Sequence, residues 1–342
     1  MHAIATRRGS FLGSSMRRWL SGKPPRILIT GGLGQLGTEL AQCLRSKYGN
    51  DNVILSDNKE AESGTSGSGP FIRCDVTDFD YLDGVVKNEG IDWLVHFATL
   101  LSAIGEKKVD EAIRVNIGGF HNVLNLTRKY NLRLFCPSTI GAFGPSTPRI
   151  DTPDLTIQRP NTIYGVSKVH VELLGEYYHQ HPEYQVDFRC ARFPGILSGN
   201  TLPGGGTTDY AVHIFYEAIK RGRYTCYLRP DTRLPMMYID DCIRGTVEML
   251  HAPSDQLKMR TYNMAAFSFT PDQLVKELQK YVPHLKVDYV IDPVRQKIAD
   301  SWPESLNDSN ATRDWGWKHD YDLAKTTRTM YDIIMRNIDK DK

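Results

Sequence analysis

The run Arg26-Ile-Leu-Ile-Thr30 passes without a break into Gly31-Gly-Leu-Gly34-Gln-Leu-Gly37, and this constrains the chain more than any other feature. A short β-branched run reads as a buried strand. The residues after it carry apolar side chains at three- and four-residue spacing, the period of a helix. Glycines at the first and fourth positions let the backbone turn tightly and approach a pyrophosphate, and the seventh lets the helix pack closely on the strand. The helix amino terminus then turns unpaired N–H groups and its positive dipole end toward the same point. Tight strand-to-helix turns also use glycine for purely steric reasons, so the remaining chain has to decide between the two readings.

Short apolar runs at 26–30, 52–57, 71–74, 93–98, 133–137 and 186–192 alternate with helical patterns at 35–48, 110–130 and 162–179. Strands joined by crossover helices build a parallel sheet, so the expected fold is α/β, a doubly wound Rossmann-type sheet with a smaller carboxyl-terminal lobe. We expect a nucleotide-binding domain over 25–195 and a substrate lobe over 196–342, with 237–265 returning to the first domain. Helices are expected at 210–220 and 323–338, and the Gly/Ser/Thr run at 63–69 reads as a surface loop.

Lys and Arg number 42 against 40 for Asp and Glu, a net charge of +2 that offers no field for nucleic acid. The cysteines form no C-x-x-C pair and the histidines no H-E-x-x-H, so neither a disulfide framework nor a metal site is expected. No apolar run reaches the length of a membrane span. Residues 1–38 hold Arg7, Arg8, Arg17, Arg18, Lys23 and Arg26, and the first acid is Glu39. That composition is that of a mitochondrial transit segment, expected to end near residue 24, or of a plain basic tail.

Two carboxylates favour the cofactor reading of the glycines. Asp57 stands 26 residues after Gly31, close to where an acidic side chain receives the adenosine ribose hydroxyls and repels the extra phosphate of NADP. NAD is therefore the expected cofactor. Asp75, followed by Val76, can accept from the adenine amino group, or serve as an ordinary turn aspartate. A second cluster, Tyr164-Gly-Val-Ser-Lys168, places a phenol and an ammonium on one helical face. An ammonium near a phenol, joined by an oxidised nicotinamide, favours the phenolate; lowering the pKa from near 10 to about 6.5 takes roughly 5 kcal/mol.

Taken in order, Gly31-x-x-Gly34-x-x-Gly37, Asp57, Asp75-Val76, His96-Phe-Ala98, Asn116, Ser138-Thr139, Tyr164-x-x-x-Lys168 and Met237-Tyr-Ile-Asp240-Asp241 resemble the extended short-chain dehydrogenase/reductase family from about Arg26 onward. The resemblance implies that Tyr164 is the acid–base residue, that Thr139 polarises the substrate oxygen and that Lys168 holds the nicotinamide ribose. It also implies a cofactor site of Gly31, Gly34, Gln35, Leu36, Gly37, Asp57, Asp75, Val76, Ala98, Asn116, Tyr164, Lys168 and Pro194. Dimers pairing through helices such as 110–130 and 162–179 are common in that family.

Sugar-nucleotide epimerases of the family usually carry Arg-x-x-Asn where this chain has Arg192-Phe-Pro194-Gly195. Pro203-Gly-Gly-Gly-Thr207-Thr-Asp-Tyr210 and Ser301-Trp302-Pro303 are similar to the branch that oxidises the side-chain hydroxyl of L-threonine with NAD. The implied substrate contacts are Ser102, Ser138, Thr139, Gly206, Thr207 and Trp302. A zwitterion needs few donors for its carboxylate, and the amides of the 204–206 glycines could form an anion nest, or the glycines could simply connect lobes. The alternatives are an epimerase or dehydratase, using Arg223, Arg229 and Arg233 for a diphosphate, and a non-catalytic NAD-binding protein.

Overall fold

The computed structural model describes residues 23–61, 69–201 and 204–340. Most of the basic amino-terminal stretch, residues 63–68 and Pro203 lie outside the described residues.

Six strands of the central sheet come from the first part of the chain: β1 (Ile27–Thr30), β2 (Val53–Asp57), β3 (Phe71–Arg73), β4 (Trp93–His96), β5 (Arg133–Thr139) and β6 (Asp187–Phe193). Then follow β7 (Gly195–Leu197), β8 (Arg223–Cys226), β9 (Leu234–Tyr238), β10 (Thr261–Asn263), β11 (Phe267–Phe269) and β12 (Lys286–Tyr289). The seven-stranded sheet runs β10-β6-β5-β4-β1-β2-β3, and every pairing is parallel. Ile27 is in register with both Val53 and Trp93, so chain order reverses on the two sides of β1. That reversal opens a crevice at the carboxyl ends of β1 and β4, where doubly wound sheets bind ligands.

The strands are apolar on both faces because both faces are covered. Leu28, Ile54, Leu94 and Leu134 pack with Leu82, Phe120 and Val171 on one side. Ile27, Ile29, Val53 and Val95 pack with Leu40 and Leu44 on the other, and this core continues through Tyr210, Met236 and Leu250 from the later part of the chain. The smaller sheets are β11-β9-β7 and β12-β8. All six cysteines are free.

Two departures from expectation have physical causes. The helix Phe79–Glu89 is absent from the sequence reading, although Asp78 caps it by accepting from the Tyr81 amide at 3.1 Å and Gly90 ends it at φ +61°. The helix expected at 110–130 is interrupted: Val109–Ala112 and Phe120–Tyr130 flank seven residues of wider π-type turns, Ile113–Gly119. Gly119 presses so closely on Val76 that a Cβ there would meet its Cγ2 at 2.7 Å, and Asn116 turns inward. Strand β10, from within 237–265, pairs with β6 in the seven-stranded sheet, so segments distant in sequence share one core.

Candidate active site

Gly31 turns at φ +67°, and a Cβ on it would lie 2.5 Å from the Ala98 nitrogen; one on Gly37 would lie 2.7 Å from the Gly32 Cα. Side chains at these places would fill the turn. Gly34 caps the helix Gln35–Tyr48 without any side-chain hydrogen bond, leaving its first amides turned to the cleft. Asp57 ends β2 beside this turn and accepts from the Leu33 amide at 3.3 Å. A turn built on Gly31, Gly32 and Gly34, a free helix amino terminus and a neighbouring carboxylate together fit the pyrophosphate and adenosine ribose of NAD.

Asp57, Asp75, Val76 and Ala98 line the outer half of the cleft. Asp75 serves as a turn residue through one oxygen, which accepts from the Thr77 amide at 2.9 Å and hydroxyl at 2.8 Å. Burial raises its pKa, but the Thr77 bonds and nearby Arg114 outweigh that and hold it below the usual range. The inner half brings together Gln35, Leu36, Ser102, Ser138, Thr139, Tyr164, Lys168, Pro194, Gly206, Thr207 and Trp302. Asn116 is not among the lining residues of either half. Its side chain clamps both backbone groups of Leu100, at 2.8 and 3.1 Å, and reaches the Ser167 hydroxyl at 3.3 Å. It therefore pins the segment before Ser102 to the helix carrying Lys168.

Thr162 caps that helix, Ile163–Gln180, by accepting from the Gly165 amide at 3.1 Å, which sets Tyr164 in the first turn. A Cβ on Gly165 would come within 2.2 Å of the Gly141 carbonyl, so glycine there lets the helix abut the turn after β5. Thr139 sits in that turn, accepts from the Gly141 amide at 3.1 Å and shares a hydrogen bond with the Tyr164 phenol.

Burial pushes the Tyr164 phenol up to about 12, and the Thr139 bond only partly opposes it. The Lys168 ammonium is itself buried, has a lowered pKa and donates to the Pro137 carbonyl at 2.9 Å. His96, enclosed beneath the cleft and bonded through Nδ1 to Thr30 at 2.8 Å, is pushed down to about 3 by burial and by Lys168.

The expected nest at 204–206 is occupied from within. The Asp209 carboxylate accepts from the Gly205 and Gly206 amides, each at 2.7 Å, so neither amide is offered to a ligand. Thr207 lines the cleft with its hydroxyl buried and without a partner. Trp302 is 5% exposed, and Arg149 holds its backbone carbonyl at 3.0 Å. The Ser138 hydroxyl is tied to Glu172, a residue that the sequence reading misses although it stands four positions beyond Lys168. Arg229 pairs with Asp300 at 2.8 Å, Arg233 with the Ser268 carbonyl at 3.1 Å and Arg223 with Asp288 at 3.6 Å. None of these arginines is among the lining residues of the cleft, which leaves the diphosphate alternative without its cations.

This strand order, glycine cradle and Thr–Tyr–Lys grouping define a nucleotide-dependent oxidoreductase of the doubly wound class, and the chain belongs to the NAD dependent epimerase/dehydratase family, matched over residues 27–265. It is 60% identical over 305 residues to the mitochondrial L-threonine 3-dehydrogenase of Bos taurus, which covers 89% of this chain and 81% of that protein. Among solved structures it is similar to the L-threonine dehydrogenase of Phytophthora infestans, at 50% identity and a TM-score of 0.86, covering 93% of this chain and 100% of that one. The Clostridium difficile L-threonine dehydrogenase is 44% identical with a TM-score of 0.89, covering 92% and 99%.

Proposed function

We propose that this protein oxidises the C3 hydroxyl of L-threonine with NAD, giving 2-amino-3-oxobutyrate and NADH. The observation that carries the reading is the juxtaposition of Tyr164, Thr139 and Lys168 in one cleft with the glycine cradle, in a chain similar throughout to threonine dehydrogenases. NAD, when bound, supplies the hydride acceptor. Thr139 holds the substrate oxygen, and Tyr164 as phenolate removes the hydroxyl proton. Lys168 has the reach to hold the nicotinamide ribose and adds positive charge beside the phenol. Ser102, Ser138, Thr207 and Trp302 surround the amino acid, and Trp302 excludes water from it. Positioning dominates, because hydride transfer requires near contact of the two carbons.

The acid-free amino terminus, together with the mitochondrial relative, supports import into mitochondria. Val166, Leu173 and Tyr177 stand 46%, 59% and 54% exposed on the outer face of the helix Ile163–Gln180, which suits pairing with a second copy.

The deciding experiment follows NADH formation with L-threonine, L-allo-threonine, L-serine and a UDP-sugar in separate reactions. L-Threonine should react far faster than its allo isomer, since displacing the transferred hydrogen by about 1 Å costs on the order of a hundredfold. Serine lacks only the methyl contact, worth roughly 1–3 kcal/mol, and should react weakly. Conversion of the UDP-sugar with no NADH from threonine would sink the reading.

A further inference from the structure

Glu172 and Arg192 are 1% and 4% exposed, and they form a two-pronged ion pair under the floor of the cleft. The Glu172 carboxylate accepts from Arg192 Nε at 2.9 Å and Nη2 at 2.8 Å, from Gln158 Nε2 at 2.8 Å, and from the Ser138 hydroxyl. Arg192 is held in turn by the Asp154 carbonyl at 2.7 Å and Asn263 Oδ1 at 3.2 Å. Neither member of the pair can turn away without leaving a charge buried and alone.

This arrangement fixes the direction of one proton. A carboxylate paired with a guanidinium has no proton to give, so the single hydroxyl proton of Ser138 is spent on Glu172. Serine hydroxyls ordinarily rotate to suit a ligand, donating or accepting as required. Ser138, which lines the cleft beside Thr139, retains only lone pairs for whatever binds there.

We propose that Glu172, acting through Ser138, makes this part of the cleft a receptor for the substrate's ammonium group. The inference rests on the threonine reading and deepens it. L-Threonine brings two kinds of donor, its ammonium and its C3 hydroxyl. The hydroxyl proton goes to the Tyr164 phenolate, and the substrate carboxylate is repelled by an acceptor. The ammonium alone matches Ser138. Glu172 is thus a positioning residue for amino-acid specificity, and a hydroxy acid without the amino group gains nothing at this point.

The test compares L-threonine with 3-hydroxybutyrate of the same C3 configuration, used as a competitive inhibitor of the NAD-loaded full-length enzyme. Ser138→Ala leaves the Glu172–Arg192 pair whole. It should raise the KM for threonine about 10- to 100-fold, the worth of a hydrogen bond to a charged group, with kcat changed far less. The inhibition constant of 3-hydroxybutyrate should stay within about twofold, because it has no ammonium for Ser138 to receive. Glu172→Gln should give the same selective shift while the NAD dissociation constant is unchanged. Ser138→Ala carries the decision even where Glu172→Gln fails to fold. Equal weakening of both ligands, or no effect on threonine, overturns the inference. Wild-type protein that gives no NADH from threonine refutes the threonine reading itself, and so the two failures are distinguishable.

Discussion

The Lys168 ammonium lies 5.6 Å from the centre of the Tyr164 ring and donates elsewhere, to the Pro137 carbonyl. The lysine therefore contributes charge to the phenol without contributing a hydrogen bond. With the phenol raised to about 12 in the protein alone, a second cation has to bring it into the working range. At saturating NAD, kcat should rise with pH through an inflexion well below 12, each unit of lowering representing about 1.4 kcal/mol. A pH–rate profile checks this, and an inflexion that stays near 12 would show that the cofactor does not tune Tyr164. Tyr164→Phe should keep its NAD affinity and lose turnover by at least a factor on the order of 100.

Asp57 stands where a ribose hydroxyl and a ribose phosphate have opposite needs. Removing its charge should weaken NAD by roughly tenfold, the worth of a charged hydrogen bond, and improve NADP relative to NAD. Titration of Asp57→Ala with both cofactors measures the ratio. An unchanged preference would assign discrimination to another residue.

Arg192→Leu should destabilise the protein by about 3–5 kcal/mol, because it strands the Glu172 carboxylate in the core. The double change with Glu172→Leu should cost less than the single one. Denaturant unfolding of both variants checks the order, and a double variant weaker than the single one would contradict it.

His96 predicts a feature of acid stability. Its folded pKa, about 3, lies below the ordinary value near 6.5, so an unfolded chain takes up a proton that the folded chain refuses. The stability it confers is present above pH ~6.5 and is lost progressively as pH falls toward 3. His96→Gln should flatten that part of the stability–pH curve, as read from chemical unfolding at several pH values.

What the sequence made legible was local. The strand, glycine turn and helix around Gly31–Gly37 read correctly because each step is set by neighbouring residues, and the helix Gln35–Tyr48 has the expected bounds. Strand β5 runs two residues past its expected end, because its pairing with β6 continues to Thr139↔Phe193. Tyr164 and Lys168 were visible from their spacing. Glu172 shares that spacing but carries no motif, and its partner Arg192 lies 20 residues away on a strand. The glycines at 204–206 read as a donor nest or a lobe connector, whereas the turn folds Asp209 back onto Gly205 and Gly206, a closure that composition does not encode.

Strand β10 enters the sheet some seventy positions after β6, and Asn263 closes the polar network around Arg192 through its side-chain oxygen while its backbone amide binds Asp154 at 2.5 Å. A nascent or truncated chain ending near β6 would present an open sheet edge and a half-satisfied buried arginine. The first six strands alone are consequently not expected to fold as an independent unit. Loop closure between β6 and β10 has to precede docking of this last strand, so slow folding and a single cooperative unfolding transition are the expected behaviour.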